Sequence, residues 1–194
     1  MLFRSWFLKP QSLPNDIDMG GVEATVGYRP DPDTGTFSYA THAVTVAVDS
    51  EIGDVEILDY VVVEDGGKLV NPMVVDGQIL GGLAQGIGTA LYEEMPFDAA
   101  AQPLASTLAD YLLPSSTEVP AARIEHMETP SPFTEFGVKG IGEGGAIAGP
   151  AAIVNAINDA LRSLGAELLV SPVTPYRIVE AVRAANRNNS AGHP

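Results

Sequence analysis

Apolar residues recur along this chain with two different periods. Within residues 39–64, Val44, Val46 and Val48 alternate with Ala43, Thr45 and Ala47, the period of two that lays one face of a strand on a core. A second β-branched run fills residues 55–63, and Asp49-Ser50-Glu51-Ile52-Gly53-Asp54 between the two runs is turn chemistry, so the pair predicts a hairpin. Shorter β-prone stretches lie at residues 22–28 and 121–127. Further on the period becomes helical. From Pro150 onward, Ile153, Ala156, Ile157, Ala160, Leu161 and Leu164 share one helical face, with proline suited to the first turn and Gly165 to the stop. A last helix is predicted over residues 174–186, with Ile178, Val179 and Val182 as its packing stripe.

Strands and helices interleave here without a regular βαβ period. The expected fold is therefore α+β, a mixed or antiparallel sheet packed with helices, and not a doubly wound parallel sheet. Residues 1–20 carry Pro10, Pro14, Asn15 and Gly20 without a sustained period and read as an irregular lead-in, as if cut from a longer chain. The folded domain is expected over residues 21–186, followed by a flexible tail at 187–194.

Composition narrows the function classes. Ten Lys and Arg against 25 Asp and Glu leave a net charge of −15 over 194 residues, which opposes a nucleic-acid surface or an anionic membrane. No apolar run is long enough for a membrane span, and the start lacks the apolar stretch of a signal peptide, so a cytoplasmic protein is expected. The chain has no cysteine, which removes thiolate nucleophiles and cysteine-held zinc or iron–sulfur clusters. His42, His126 and His193 are far apart, so no local histidine metal site is expected. Any redox chemistry must be brought in by another group.

Two glycine-rich segments carry the candidate chemistry. Residues 75–94 read as a helix containing Gly77, Gly81, Gly82, Gly86 and Gly88, where each interior glycine costs about 1 kcal/mol relative to alanine. Ile79, Leu83, Ile87, Ala90 and Leu91 form its apolar side, whereas Gln78, Gly81, Gly82, Gln85 and Thr89 form the other. That second face admits two readings: close approach of a polar ligand met by glutamine amides, or tight packing of another helix. The second segment, Lys139-Gly140-Ile141-Gly142-Glu143-Gly144-Gly145, satisfies G-x-G-x-x-G. A dinucleotide fingerprint needs a strand before it, but Pro130-Ser131-Pro132-Phe133 precedes it instead, and Glu143 would repel a pyrophosphate. Glycines on both sides of Glu143 instead leave room for a bulky ligand to meet a general base, with a solvated loop carboxylate as the bland alternative.

These residues resemble a known family. Gly77-Gln78-x-x-Gly81-Gly82-x-x-Gln85-Gly86-x-Gly88 with Glu93-Glu94, then Asp110-Tyr111-x-x-Pro114, Glu128-Thr129-Pro130-Ser131-Pro132 and residues 137–145 follow in order. Together they resemble the C-terminal part of the molybdopterin-binding large subunit of the molybdenum hydroxylases, the xanthine dehydrogenase, aldehyde oxidase and carbon monoxide dehydrogenase family. The likeness runs from about Leu13 to Val182. Ala148-Gly149-Pro150 stands where relatives commonly have Gly-Ala-Pro, and Gly66 where cysteine is frequent.

The resemblance implies a molybdopterin cofactor, in a dinucleotide form, carrying molybdenum with no metal ligand from this chain. It implies Glu143 as the catalytic base and a cofactor-contact set of Gln78, Gly81, Gly82, Gln85, Lys139, Gly140 and Gly142. Glu143 is expected to gain dipole support from the helix opening at Pro150. The implied partners are the N-terminal half of the large subunit, an iron–sulfur subunit with [2Fe-2S] clusters, an FAD subunit and a small-molecule substrate. Hydroxylation of an electron-poor carbon in an aldehyde or N-heterocycle, or oxidation of carbon monoxide, is the implied reaction. The alternative is a truncated, non-catalytic remnant or scaffold that keeps the fold.

Overall fold

A computed structural model describes residues 25–27 and 35–191. Contacts divide the chain into units Met1–Asp33 and Thr34–Pro194, and the fold is that of the second. The expected lead-in at 1–20 lies outside the described residues, as does most of the expected strand at 22–28. Of that stretch Thr25, Val26 and Gly27 are described and are not in a strand.

The alternating runs form strands β1 (Tyr39–Val48) and β2 (Val55–Asp65), paired antiparallel with Val48 opposite Val55. Asp49 closes the hairpin by accepting the amide protons of Glu51 and Ile52 at 2.8 and 3.1 Å on its side chain, and Gly53 takes the left-handed φ of 78° that the turn demands. A register shift between Thr45 and Val46 sets the unpaired Leu58 in β2. Strand β3 (Arg123–Met127) adds to β2 in parallel, so the order β1-β2-β3 makes a mixed sheet and the domain is α+β.

Helix α1 (Pro72–Ile87) starts where Asn71 accepts the amide of Val74 and Pro72 fills the first turn. It ends earlier than the expected 75–94 span, because Gly88–Tyr92 form a π-helical turn. Its apolar side is buried as read, through Val75, Ile79, Leu83 and Ile87. A four-residue helix α2 (Gly144–Ile147) precedes α3 (Gly149–Leu161), which closes through a 3-10 turn onto left-handed Gly165. Ile153, Ile157 and Leu161 of α3 are buried, whereas Ala160 is exposed. Helix α4 (Pro175–Ala191) continues five residues past the predicted end at 186, so the expected tail at 187–194 begins as helix.

The core lies between one sheet face and these helices. Tyr60 and Val62 of β2 meet Ile79, Leu83 and Ile87 of α1, Ile153 and Ile157 of α3, and Ile178 and Val182 of α4. Each such fully buried aliphatic side chain contributes about 1.5–3 kcal/mol. The buried phenol of Tyr60 is met by His42 Nδ1 at 3.0 Å, and burial pushes its pKa up to about 12. Among the described residues no helix is long and apolar enough to cross a membrane.

Candidate active site

The glycine loop 139–145 is fixed at both ends. On entry, Gly67 pairs with Val138, Lys68 N–H donates to Gly137 O at 3.1 Å, and Lys139 N–H donates to Gly66 O at 3.0 Å. Gly67 and Gly137 both take left-handed φ values; a Cβ on Gly67 would strike Gly137 O, and one on Gly137 would strike Pro130. On exit, Gly145 lies so close to the Ile79 backbone of α1 that a Cβ there would collide with it.

Helices cross at the same place through glycines. A Cβ on Gly82 would lie 2.7 Å from Ala146 N, and one on Gly86 would lie 3.3 Å from Gly149 Cα. Gly82 and Gly86 of α1 therefore interdigitate with Gly145 and Gly149, one helical turn apart on each side. This is the packing alternative for those two glycines: the backbone approaching Gly82 belongs to α2. Any part Gly82 plays toward a ligand is then indirect.

The rest of the α1 face is open. A Cβ on Gly77 or Gly81 would meet nothing within 4 Å, and the same holds for Gly140 in the loop. Gln78 donates its Nε2–H to Gly142 O at 3.3 Å, which joins the helix face to the loop next to Glu143. A Cβ on Gly142 would meet only that Gln78 Nε2, at 3.8 Å. Glu143 is exposed, and among the described residues its carboxylate has no hydrogen-bond or ion-pair partner. Gln85 is also exposed and makes no side-chain hydrogen bond among the described residues, so no contact joins it to the loop. The amides of Gly140, Ile141 and Gly142 likewise donate to no described acceptor.

Two expectations need correction in detail. Lys139 does not face the open side: its ammonium is buried and ion-paired to Asp65 at 3.0 Å, 5.0 Å from the Tyr39 ring centroid. Asp65 is buried as well and accepts from Gly67 N at 2.9 Å and Thr129 N at 3.0 Å. Burial alone would raise its pKa, but hydrogen bonds from Thr129, Gly67 and Lys139 outweigh it and hold the carboxyl far below the usual range. The Lys139 side chain thus ties the loop to Asp65 at the end of β2. The dipole argument for Glu143 changes too, because α2 intervenes before α3 and the Glu143 side chain caps neither helix.

One group escaped the sequence reading. Glu64 is 1% exposed, and neither carboxylate oxygen has a hydrogen-bond partner. It lies directly against Gly144, where a Cβ would strike its carboxyl. The signal was present: β2 alternation puts Glu64 on the same face as Tyr60 and Val62.

Gly77, Gly81 and Gly140 thus leave open space, the amides of residues 140–142 donate to no acceptor among the described residues, and Glu143 beside them is exposed. Among the described residues no group of three or more His, Asp or Glu is placed to hold a metal ion.

Comparison with known proteins places the chain in a family. Residues 11–120 match the model of a molybdopterin cofactor-binding domain. The chain is 41% identical over 163 residues to the nicotine 6-hydroxylase large subunit of Paenarthrobacter nicotinovorans, covering 84% of this chain and 20% of that one. It is 34% identical over 166 residues to the carbon monoxide dehydrogenase large chain of Hydrogenophaga pseudoflava, covering 86% and 20%. Among solved structures, quinoline 2-oxidoreductase from Pseudomonas putida 86 superposes with a TM-score of 0.72 at 45% identity, over 73% of this chain and 18% of that one. Reconstituted CO dehydrogenase from Oligotropha carboxidovorans gives 0.79 at 28% identity, over 92% and 22%. The chain spans about a fifth of the length of the curated relatives it matches.

Proposed function

Because this chain belongs to the molybdopterin cofactor-binding family of the molybdenum hydroxylases, we propose that it is the C-terminal portion of a large subunit and supplies that enzyme's base. The reaction class is oxidation of an electron-poor carbon in an aldehyde or N-heterocycle, or of carbon monoxide, with oxygen taken from water. The molybdopterin cofactor, in its dinucleotide form, supplies the two-electron chemistry when bound. Glu143 takes the proton from the attacking oxygen, and the glycines beside it keep that approach clear. Gln78 holds the loop through Gly142 O and presents its amide to the cofactor. Gln85, Gly81 and Gly140 offer further contacts, while Gly82 and Lys139 keep helix and loop in register. Electrons leave through an iron–sulfur subunit and an FAD subunit, which accords with a chain that carries no cysteine. The N-terminal half of the large subunit completes the pocket.

One observation carries this reading: Glu143 is an exposed carboxylate on a loop anchored at both ends, next to Gly142, whose carbonyl accepts from Gln78 on an α1 face where Gly77 and Gly81 leave open space. The test is co-expression with the rest of the large subunit and its genomic neighbours, reading molybdenum and pterin content. Glu143→Gln is expected to keep the metal content and lower turnover roughly 10²- to 10⁴-fold, since an amide cannot accept the proton. Turnover near the wild-type rate overturns the base assignment. A complex that holds neither molybdenum nor a larger partner favours the scaffold alternative.

A further inference from the structure

Residues 166–170 follow the left-handed Gly165 and lie outside every helix and strand of the fold. Their burial nevertheless alternates, with Ala166 and Leu168 in the core, Glu167 exposed and Leu169 83% exposed. That is the period of a strand laid with one face on a core. One edge of it is already paired. Asn158 of α3 accepts from Leu168 N at 2.8 Å and donates its Nδ2–H to Leu168 O at 2.9 Å, as the backbone of a neighbouring strand would. Ala166 N donates to Leu161 O of the same helix at 3.4 Å. In an extended chain successive residues turn their N–H and C=O groups to opposite edges. Those of Ala166 and Leu168 serve α3, so those of Glu167 and Leu169 turn away from it. Among the described residues neither Glu167 nor Leu169 has a hydrogen-bond partner for its N–H or its C=O.

Such an edge is a template for another strand, and proteins usually blunt it with lysine, proline or a bulge. Here the guard is slight. Glu167 is the single charge in the segment, and the apolar side chains of Leu169 and the 57% exposed Val170 stand in solvent beside the unpaired groups. The chain spans about a fifth of the length of its relatives, so most of a large subunit lies outside it. We propose that the open edge of residues 166–170 receives an extended, apolar segment from that remainder of the large subunit, which joins it as a strand. The incoming strand bonds the N–H and C=O groups of Glu167 and Leu169 and sets an apolar side chain against Leu169. A second copy of this chain fits the edge less well. Symmetric antiparallel pairing would put Glu167 against Leu169 of the copy, and two chains of net charge −15 repel.

This proposal rests on the reading of the chain as part of a large subunit. The experiment compares amide hydrogen exchange, resolved to single residues by fragmentation mass spectrometry, in the chain alone and in the chain co-purified with the rest of the large subunit. Alone, the Leu168 amide is expected to be protected by Asn158, while those of Glu167 and Leu169 exchange freely. Assembly is expected to slow Glu167 and Leu169 roughly 100-fold or more and to change Leu168 least. A complex that forms with Glu167 and Leu169 still exchanging freely overturns this proposal alone, whereas a chain that captures no remainder overturns the large-subunit reading with it. Slowing that appears in the chain alone as its concentration rises assigns the edge to a second copy and overturns the occupant proposed. Leu169→Pro deletes a donor that bonds nothing in the chain, so its melting temperature is expected to stay near the parent's. Its affinity for the remainder is expected to fall roughly tenfold further than that of Leu169→Ala, which loses the side chain and keeps the N–H. Equal losses in the two variants overturn strand pairing in favour of side-chain packing. Should Leu169→Pro not fold, the exchange pattern of the unsubstituted chain decides.

Discussion

Gly81 and Gly82 are neighbours on one helix and do opposite things. A side chain on Gly82 would collide with the backbone of the Gly145–Ala146 turn, whereas one on Gly81 would meet open space. The same split divides the loop, where Gly145 is wedged against Ile79 and Gly140 is free. Each glycine-rich motif thus has a buried half that clamps helix to loop and an open half that leaves space beside the backbone. The clamp makes the open half useful, because Glu143 and Gln78 keep their positions only while the backbones beneath them stay in contact. Substitutions that act on one half alone separate the two roles.

The largest effect is expected at Lys139, the buried cation that ties the loop to Asp65. Lys139→Met leaves Asp65 buried with its amide donors but without a counter-charge, which costs about 3–5 kcal/mol. Urea unfolding of the purified chain measures this. A cost under about 1 kcal/mol, the range of an exposed pair, would sink the claim that Lys139 belongs to the buried half. Gly82→Ala comes next. Helix propensity favours alanine by about 1 kcal/mol, but overpacking against backbone that cannot move aside costs about 1–3 kcal/mol, so net destabilisation is expected. Thermal unfolding checks it, and a rise in the melting temperature would mean that α1 and α2 separate at no cost.

Glu64 tests the boundary between the halves. Its pKa is raised above the ordinary 4.5 by burial, with Asp65 adding to the shift and His126 opposing it. The folded state therefore holds the proton more tightly than the unfolded chain. That contribution to stability is fully present below the unfolded value and is lost as pH rises through the higher folded one. Glu64→Gln removes the titration, so its stability should be flatter with pH and exceed that of the parent at alkaline pH by about 1–2 kcal/mol. Unfolding midpoints across the pH range provide the measurement, and parallel profiles for the two proteins would contradict it.

Periodicity located the hairpin, β3, α3 and the apolar side of α1, because those elements carry their signal within a few residues: alternating valines, Asp49 and Gly53 in the turn, the isoleucines of α3. What it could not supply depends on contacts distant in sequence. The pair Asp65 and Lys139 spans 74 residues, and nothing local distinguishes that lysine from a solvated one. The two readings of the α1 glycines stayed open for the same reason, since the partner helix lies some 60 residues further on. Glu64 was detectable in principle from its place in the β2 alternation, but a carboxylate after three valines reads naturally as the strand's exit into solvent. The flanking glycines made Glu143 a candidate general base with a solvated loop carboxylate as the alternative, and the family resemblance favoured the first.

The smallest effect is the most discriminating. Gly81→Ala adds a methyl group that touches nothing among the described residues, and it removes backbone freedom from the unfolded state. The chain alone should therefore gain about 0.5–1 kcal/mol, visible as a modest rise in melting temperature. In the assembled large subunit the same methyl group would stand on the ligand-facing side of α1, beside Gln78, and should reduce the pterin retained on purification. Stability and retention must move in opposite directions if the open half of the motif exists to admit a ligand. If both rise together, Gly81 is an unselected gap on a surface helix, and the ligand face must be drawn from Gln78 and the loop alone.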